Sequence, residues 1–497
     1  MRLSERWAAL RSRVWAALRS RPRTWIATAA TLAIVLPLGW MWQSSLLPDS
    51  YDMAEMGYAD WGGGPVDEHH GMADHGTPVA DLVADPERPA DVRERFSVRR
   101  EDGRYTVNGS SPGPTLEATV GEMVEVLLVN ENVEDGITLH WHGVDVPNAV
   151  DGVAGVTQDA VGTGEEHIYR FVPDRPGTYW YHSHQVSHEQ VRQGLLGALV
   201  IHPAVEDPAE DDVLDQLAVL HRYANGPTLN GAEGTTTIDA ESGQEVRLRV
   251  VNTDNGLAPV WVTGAPYEIL AVDGTDLNEP GQLEDKKYGL PAGGRVDLGF
   301  VVPPGGIRVD FSGTTTMVFG DDPTGGDPAK APRELVDLLT YGQPADIGLD
   351  PDQADRRFEY RIGRRPGFLD GRPGLWWTIN GHLFPDVPMY MVSEGDVVVF
   401  RIENNSGDAH PMHLHGHHAV VLSHNDEPST GSPWWVDSIE VGSGDTVEIA
   451  LVADNPGIWM DHCHNLQHAA EGLVAHLMYT GVTSSYRVGG DAGNEPE

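Results

Sequence analysis

Cysteine is almost missing from this chain: among 497 residues, Cys463 stands alone. A single cysteine rules out an intramolecular disulfide, so the cysteine count says nothing about the redox compartment. Basic residues are also scarce, 33 against 75 acidic ones, which leaves a formal net charge of −42. That balance argues against nucleic acid or anionic lipid as a partner of the main body. It fits cationic substrates or metal ions, and it fits plain solubility or a saline habitat equally well. Glycine and proline are plentiful, 57 and 35 residues, and they separate many short Val-rich runs. This pattern points to all-β units rather than helices. A chain of 497 residues is too long for one core and suggests about three domains.

The N-terminus departs from this composition. Arg2, Arg6, Arg11, Arg13, Arg19, Arg21 and Arg23 precede an apolar run from Trp25 to Trp42, and acidic sequence follows. The order predicts a single-pass helix over 25–42, with residues 1–24 in the cytoplasm and the body outside the membrane. No small-residue cleavage site follows the run, so an uncleaved anchor is favoured over a signal peptide. The twin Trp7-Ala-Ala-Leu-Arg-Ser and Trp15-Ala-Ala-Leu-Arg-Ser copies read as a basic amphipathic segment on the inner membrane face. Residues 43–92 lack periodicity and read as a disordered tether.

The rest of the chain repeats itself three times. Gly121 to Asn130, Gly243 to Asn252 and Gly395 to Asn404 each open on a turn glycine and continue as a β-branched strand. An Asn-Gly turn precedes each: Asn108-Gly109, Asn230-Gly231 and Asn380-Gly381. A later element recurs from Gly164 to Gly177, from Gly294 to Gly305 and from Gly444 to Gly457. Three Greek-key β-sandwiches in series explain this best.

Histidine carries the chemistry. Pairs spaced i, i+2 occur at His140/His142, His182/His184, His413/His415 and His462/His464, and the last pair brackets Cys463. On a strand such pairs share a face, and the residue between them faces the other way. Two metal sites can therefore lie back to back. Cys463 would serve one and its neighbours the other, a few covalent bonds apart, which suits electron transfer. One such pair carries little weight, since His-Cys-His can be a buried thiol between surface histidines; four pairs make a metalloprotein.

Laying the copies over one another sorts the ligands. The third copy has His410, His413 and His415, where the second has Ala258, Trp261 and Thr263 and the first has Ile137, His140 and His142. The distance from Gly164 to His182 equals that from Gly444 to His462. Four histidines from each outer copy make one pseudo-symmetric cluster, provided those domains face each other. His410, Cys463 and His468 remain as a separate His₂Cys set, the ligands of blue copper. His188 lies opposite His468 without its partners and reads as a surface or supporting residue.

With these motifs in this order, the chain resembles the three-domain multicopper oxidases. These are laccase-like proteins of cupredoxin repeats, here of a bacterial type with an N-terminal membrane anchor. The resemblance covers residues 93–485. It implies an all-β fold of three consecutive cupredoxin-like Greek-key sandwiches at 93–205, 206–345 (without copper) and 346–485, then a tail at 486–497. It also implies four coppers per chain. His410, Cys463 and His468 match the type 1 ligands, and His140 and His413 the type 2 ligands. His142, His182, His184, His415, His462 and His464 match the ligands of the binuclear type 3 pair. Asp151 matches a carboxylate that supplies protons to the cluster, although an Asp-Gly turn alone would explain it too. Relatives carry a second acid near the last motif, where this chain has Leu466 and Ala469, and Glu471 is a weak candidate for that role. Leu473 stands where many relatives place an axial methionine, which implies a three-coordinate, more strongly oxidising type 1 copper.

The implied reaction couples four one-electron oxidations of a small-molecule reductant to reduction of O₂ to two waters. The reductant is a phenol or aromatic amine; the alternative is Cu(I) or another metal ion oxidised outside the membrane. Met53, Met56, His69, His70, Met72 and His75 of the tether suit a copper-collecting arm, though a polar linker that happens to contain them is favoured. No Met-rich insertion covers the type 1 site, since Met389, Met391 and Met412 are scattered. A non-enzymatic cupredoxin scaffold would have shed ligands, and this chain keeps eleven.

Overall fold

The structure is a computed structural model that describes residue 7 and residues 21–66, 76–205, 212–326 and 329–497. Most of the basic segment expected over 1–24 lies outside the described residues, as do His69, His70, Met72 and His75. The chain forms two compact units: a small one of residues up to Leu47 together with 365–376, and a large one holding the rest.

The small unit contains the helix Pro22–Ser44, 23 residues with a mean hydropathy of 1.5, long and apolar enough to cross a membrane. Pro at its first position suits a helix start, and every residue along it is exposed. Just past its end, Ser45 Oγ accepts the Gly371 main-chain N–H at 3.1 Å, and Asp370 accepts that of Leu47 at 3.3 Å.

The large unit is three two-sheet cupredoxin-like sandwiches, and the repeats have identical pairing. Val92–Glu101 runs parallel to Val124–Asn130, which is antiparallel to Glu166–Phe171. Leu214–Tyr223, Glu245–Asn252 and Arg295–Val301 pair in the same way, as do Arg356–Leu369, Val397–Asn404 and Thr446–Val452. The Asn-Gly turns take positive φ at both residues, for example 53° at Asn108 and 83° at Gly109, the type I′ geometry that matches strand twist. Each strand-ending asparagine is buried and donates to loop carbonyls: Asn130 to Val133, Asn252 to Gly256, Asn404 to Asp408. These bonds satisfy main-chain groups that would otherwise be orphaned, which is why the same residue recurs.

In the first domain the alternating inward residues of both sheets, among them Val124, Val126, Leu128, Trp141, Tyr169 and Tyr181, form one core. The second and third domains share a continuous core. Among the described residues the large unit has only two α-helices, Ser187–Gln190 and Leu466–Ala470, each following a metal-motif strand.

Described parts of the segment expected as a tether over 43–92 pair with the body. Tyr58–Asp60 adds as a parallel edge strand to Pro388–Val392, Ser50–Tyr51 pairs with Val488–Gly489, and Thr77–Pro78 pairs with Val482–Thr483. Met53 is 3% exposed and packs into the core, so it is no surface metal collector. Edge strands of the third domain offer free main-chain groups, and short segments without periodicity of their own can satisfy them. The residues expected as a tail are likewise bonded into the body through Val488–Gly489 and 493–497.

Candidate metal centres

Two strand pairs with the same register bring the histidines together. His140 faces His182 across the first domain's sheet, and His413 faces His462 across the third's. The two domains meet so that His142 stacks on His413 with ring centroids 3.7 Å apart, and His140 on His415 at 3.8 Å. All eight histidines of this cluster are at most 1% exposed. Gly152 has a φ of +78°, and a Cβ there would sit 1.8 Å from the Leu139 carbonyl oxygen, so only glycine lets the loop turn beneath the cluster.

The outer ring nitrogens decide where the inner ones point. Asp151 accepts from one histidine of each domain: its main-chain oxygen takes His140 Nδ1–H at 2.9 Å, and its carboxylate takes His415 Nδ1–H at 3.0 Å. The Asp437 main-chain oxygen accepts from His413 Nδ1 at 2.9 Å, the Pro496 carbonyl from His184 Nδ1 at 3.0 Å, and the Ser183 carbonyl from His182 Nδ1 at 3.0 Å. His142 is reversed: its Nε2 lies 3.1 Å from an Asp437 carboxylate oxygen and its Nδ1 is left free. Such outer partners fix tautomer and orientation in metal sites. The inner nitrogens then face one another as lone pairs, Nε2 to Nε2 3.4 Å apart for His140 and His413 and 3.2 Å for His415 and His462. His182 Nε2, His184 Nε2 and His142 Nδ1 are buried with no hydrogen-bond partner, as are both ring nitrogens of His464. Burial, reinforced by the neighbouring imidazoles, lowers the pKa of His184 and His462 to about 3. Buried lone pairs converging without protons between them fit cations.

The second set lies beyond Cys463. Its Sγ is 3.6 Å from His410 Nδ1 and 3.7 Å from His468 Nδ1, and those nitrogens are 3.2 Å apart. A triangle with these sides has a point about 2 Å from every corner, a metal–ligand bond length. Ser406 Oγ lies 2.7 Å from His410 Nε2 and occupies its outer nitrogen. Of the eleven residues only His468 is more than marginally exposed. Trp377 packs against both imidazoles, with ring centroids 4.7 Å from His410 and 4.4 Å from His468. Leu473 is buried, and its carbonyl accepts the Cys463 main-chain N–H at 3.1 Å.

Several residues of the site went unread in the sequence. Asp437 forms a two-pronged ion pair with Arg295 of the second domain, 2.6 Å on each side, and Asp273 accepts the main-chain N–H of Asp437 and Ser438. Burial opposes ionisation of Asp437, but Arg295 and His142 hold its pKa well below the usual carboxylate range. Burial and the Asp437 charge push Asp273 up to about 7. The domain without metal-motif histidines thus supplies the charge beneath the cluster, and its Gly293 abuts His142 and His464. Glu471, a candidate acid, instead accepts Trp377 Nε1–H at 3.0 Å beside the His₂Cys set. A further carboxyl near the cluster, besides Asp151 and Asp437, is that of Glu497, 2.9 Å from His462 Nδ1.

Residues 93–206 and 357–481 each match a family described as multicopper oxidase. The chain is 26% identical over 444 residues to Multicopper oxidase MmcO of Mycobacterium tuberculosis, covering 75% of this chain and 82% of that one. It is 27% identical over 444 residues to Laccase-1 of Fomitopsis schrenkii, covering 74% and 81%. Among solved structures, a multi-copper oxidase from Pseudomonas thermotolerans superposes with a TM-score of 0.64 at 26% identity, over 79% of this chain and 100% of that one. A Campylobacter jejuni multicopper oxidase, described as a metallo-oxidase, shares the fold at 20% identity and a TM-score of 0.61, over 86% and 98%. The family implies copper of types 1, 2 and 3, and both donor sets fit it. Sequence, fold and donor sets agree with the two family matches: the chain is an oxidoreductase of multicopper-oxidase type that uses O₂ as electron acceptor.

Proposed function

We propose that this enzyme is laccase-like and oxidises phenols or aromatic amines at the His₂Cys set. The observation that carries the reading is the covalent join between the two donor sets: Cys463 belongs to one and its neighbours His462 and His464 to the other. The bound coppers supply one-electron redox chemistry at the first set and four-electron reduction of O₂ at the second. His410, Cys463 and His468 hold type 1. His140 and His413, whose Nε2 atoms face each other, hold type 2. The type 3 pair divides into His184, His415 and His462, whose donor atoms converge, and His142, His182 and His464, whose rings lie within 5.6 Å of one another. His468, half-buried and edged by Trp377, is where a flat aromatic donor can reach the metal. Asp151, whose carboxylate accepts from His415 and whose main-chain oxygen accepts from His140, would hold and pass protons beside the cluster. Leu473, bonded through its carbonyl to the Cys463 main chain, would offer type 1 no side-chain ligand atom.

The helix Pro22–Ser44 supports a single-pass anchor with the enzyme body on the extracytoplasmic side. Oxidation of Cu(I) or another metal ion is the alternative. The test is kcat/KM of the copper-loaded enzyme for a phenol series against Cu(I) under air. Preference for the phenols by tenfold or more is expected, and preference for Cu(I) by the same margin overturns the laccase-like reading.

A further inference from the structure

The segment 493–497 crosses from the third domain onto the His-Ser-His turn of the first. Gln185 clasps it from both sides, donating to the Gly493 carbonyl at 2.9 Å and accepting the Glu495 N–H at 2.8 Å. Val186 N–H donates to the Glu495 carbonyl at 2.6 Å, and Asn494 Oδ1 accepts the Ala160 N–H at 2.8 Å. A backbone held this firmly delivers two acceptors to the cluster. The Pro496 carbonyl takes the His184 Nδ1 proton and leaves Nε2 free to ligate. Ser187 Oγ donates to Glu497 Oε2 at 2.7 Å, which leaves Oε1 2.9 Å from His462 Nδ1 and 4.0 Å from His184 Nε2. Oε1 and His462 Nδ1 are both buried and have no hydrogen-bond partner, being close to each other but out of line. His184, His415 and His462 are one of the trios able to hold a single ion.

We propose that Glu497 is a positioning residue for this trio, and that the strap 493–497 sets how tightly the cluster holds the copper bound there. The proposal rests on the cluster reading given under Proposed function. Its physics gives two opposite signs. In the metal-free protein a carboxylate buried among neutral imidazoles gains little to offset its desolvation. With a cation in the cluster, the same negative charge stabilises the site directly and turns His462 toward it. Truncating Glu497 should therefore help or spare the empty protein and harm the loaded one. A residue that merely packs would harm both.

The test uses Glu497→Ala and Glu497→Gln in the full chain, each metal-free and copper-loaded. Thermal unfolding is followed, together with copper retention against a competing chelator. Glu497→Ala should leave the metal-free Tm unchanged or raised. Retention of one copper should fall about 10- to 100-fold, the usual effect of losing an outer partner, while the blue type 1 band persists. Glu497→Gln keeps an oxygen for His462 Nδ1–H but loses the charge, and should fall between. Unchanged retention in Glu497→Ala overturns the proposal. Equal destabilisation of the metal-free and loaded forms overturns it too. Failure of the cluster reading would show differently, as a wild-type enzyme that binds only one copper.

Discussion

At the scale of single residues, function is set by what each imidazole does with its second nitrogen. Asp151, Asp437, Pro496 and Ser183 occupy the outer nitrogens, so the inner ones converge unprotonated. Asp437 also neutralises Arg295. Asp437→Asn would leave that guanidinium with only the Asp273 carboxyl, 3.4 Å from its Nη1, and a stability loss on the order of 3 kcal/mol is expected in urea unfolding, with weakened copper at His142. Leu473 makes a second prediction. An axial thioether stabilises Cu(II) over Cu(I), whereas leucine offers only bulk, so Leu473→Met should lower the type 1 potential on the order of 30–100 mV, where about 59 mV is tenfold for one electron. An unchanged or raised potential in redox titration would remove Leu473 from beside the metal. The eight paired histidines and the cysteine inside the last pair were legible because i, i+2 spacing survives in one dimension, whereas His410 and His468 emerged only from comparing the repeats. Asp437, Arg295 and Glu497 were not. Each acts on a residue of another domain, as with His142 and Asp437, 295 positions apart, and no local pattern marks such a partner.

At the scale of elements, the repeats were legible because turns and strand ends have local chemistry. An Asn-Gly pair or a strand-ending asparagine satisfies bonds within its own domain. The edge strands at 50–51 and 58–60 were not legible, because two or three residues added to another domain's sheet need no periodicity of their own. The loop carrying Gly293 is the second domain's contact with the cluster. A Cβ there, at a φ of +81°, would lie 2.9 Å from His142 and 3.0 Å from His464. Gly293→Ala should cost cluster copper and spare the blue band, which metal analysis and visible absorption report together. The strand Ser438–Val441 carries another testable feature. Burial raises the pKa of Glu440 from the ordinary carboxyl range to about 7. The folded state then binds the extra proton, so this group's contribution to stability declines as pH rises from 4.5 toward 7 and stays low above it. Glu440→Gln should flatten that part of the stability profile in denaturant titrations at pH 5 and pH 8, and an unaltered slope would show that the carboxyl ionises freely.

At the scale of the whole molecule, three repeats have diverged into unequal tasks. The first and third domains share the histidine cluster, the third adds the His₂Cys set, and the second contributes the ion pair and the glycine that close it. The apolar helix ahead of them predicts membrane association. Recovery of the mature enzyme from the culture supernatant with its N-terminus beyond Leu47 would show a cleaved leader instead. The central claim is that two copper sites are joined through Cys463, and the most direct measurement is copper stoichiometry with visible absorption on the wild type and on Cys463→Ser. The wild type should hold four coppers per chain and a strong blue thiolate-to-copper band, and the variant should lose that band together with the type 1 copper while keeping the other three. One copper in the loaded wild type, or a blue band that survives in Cys463→Ser, would contradict the account.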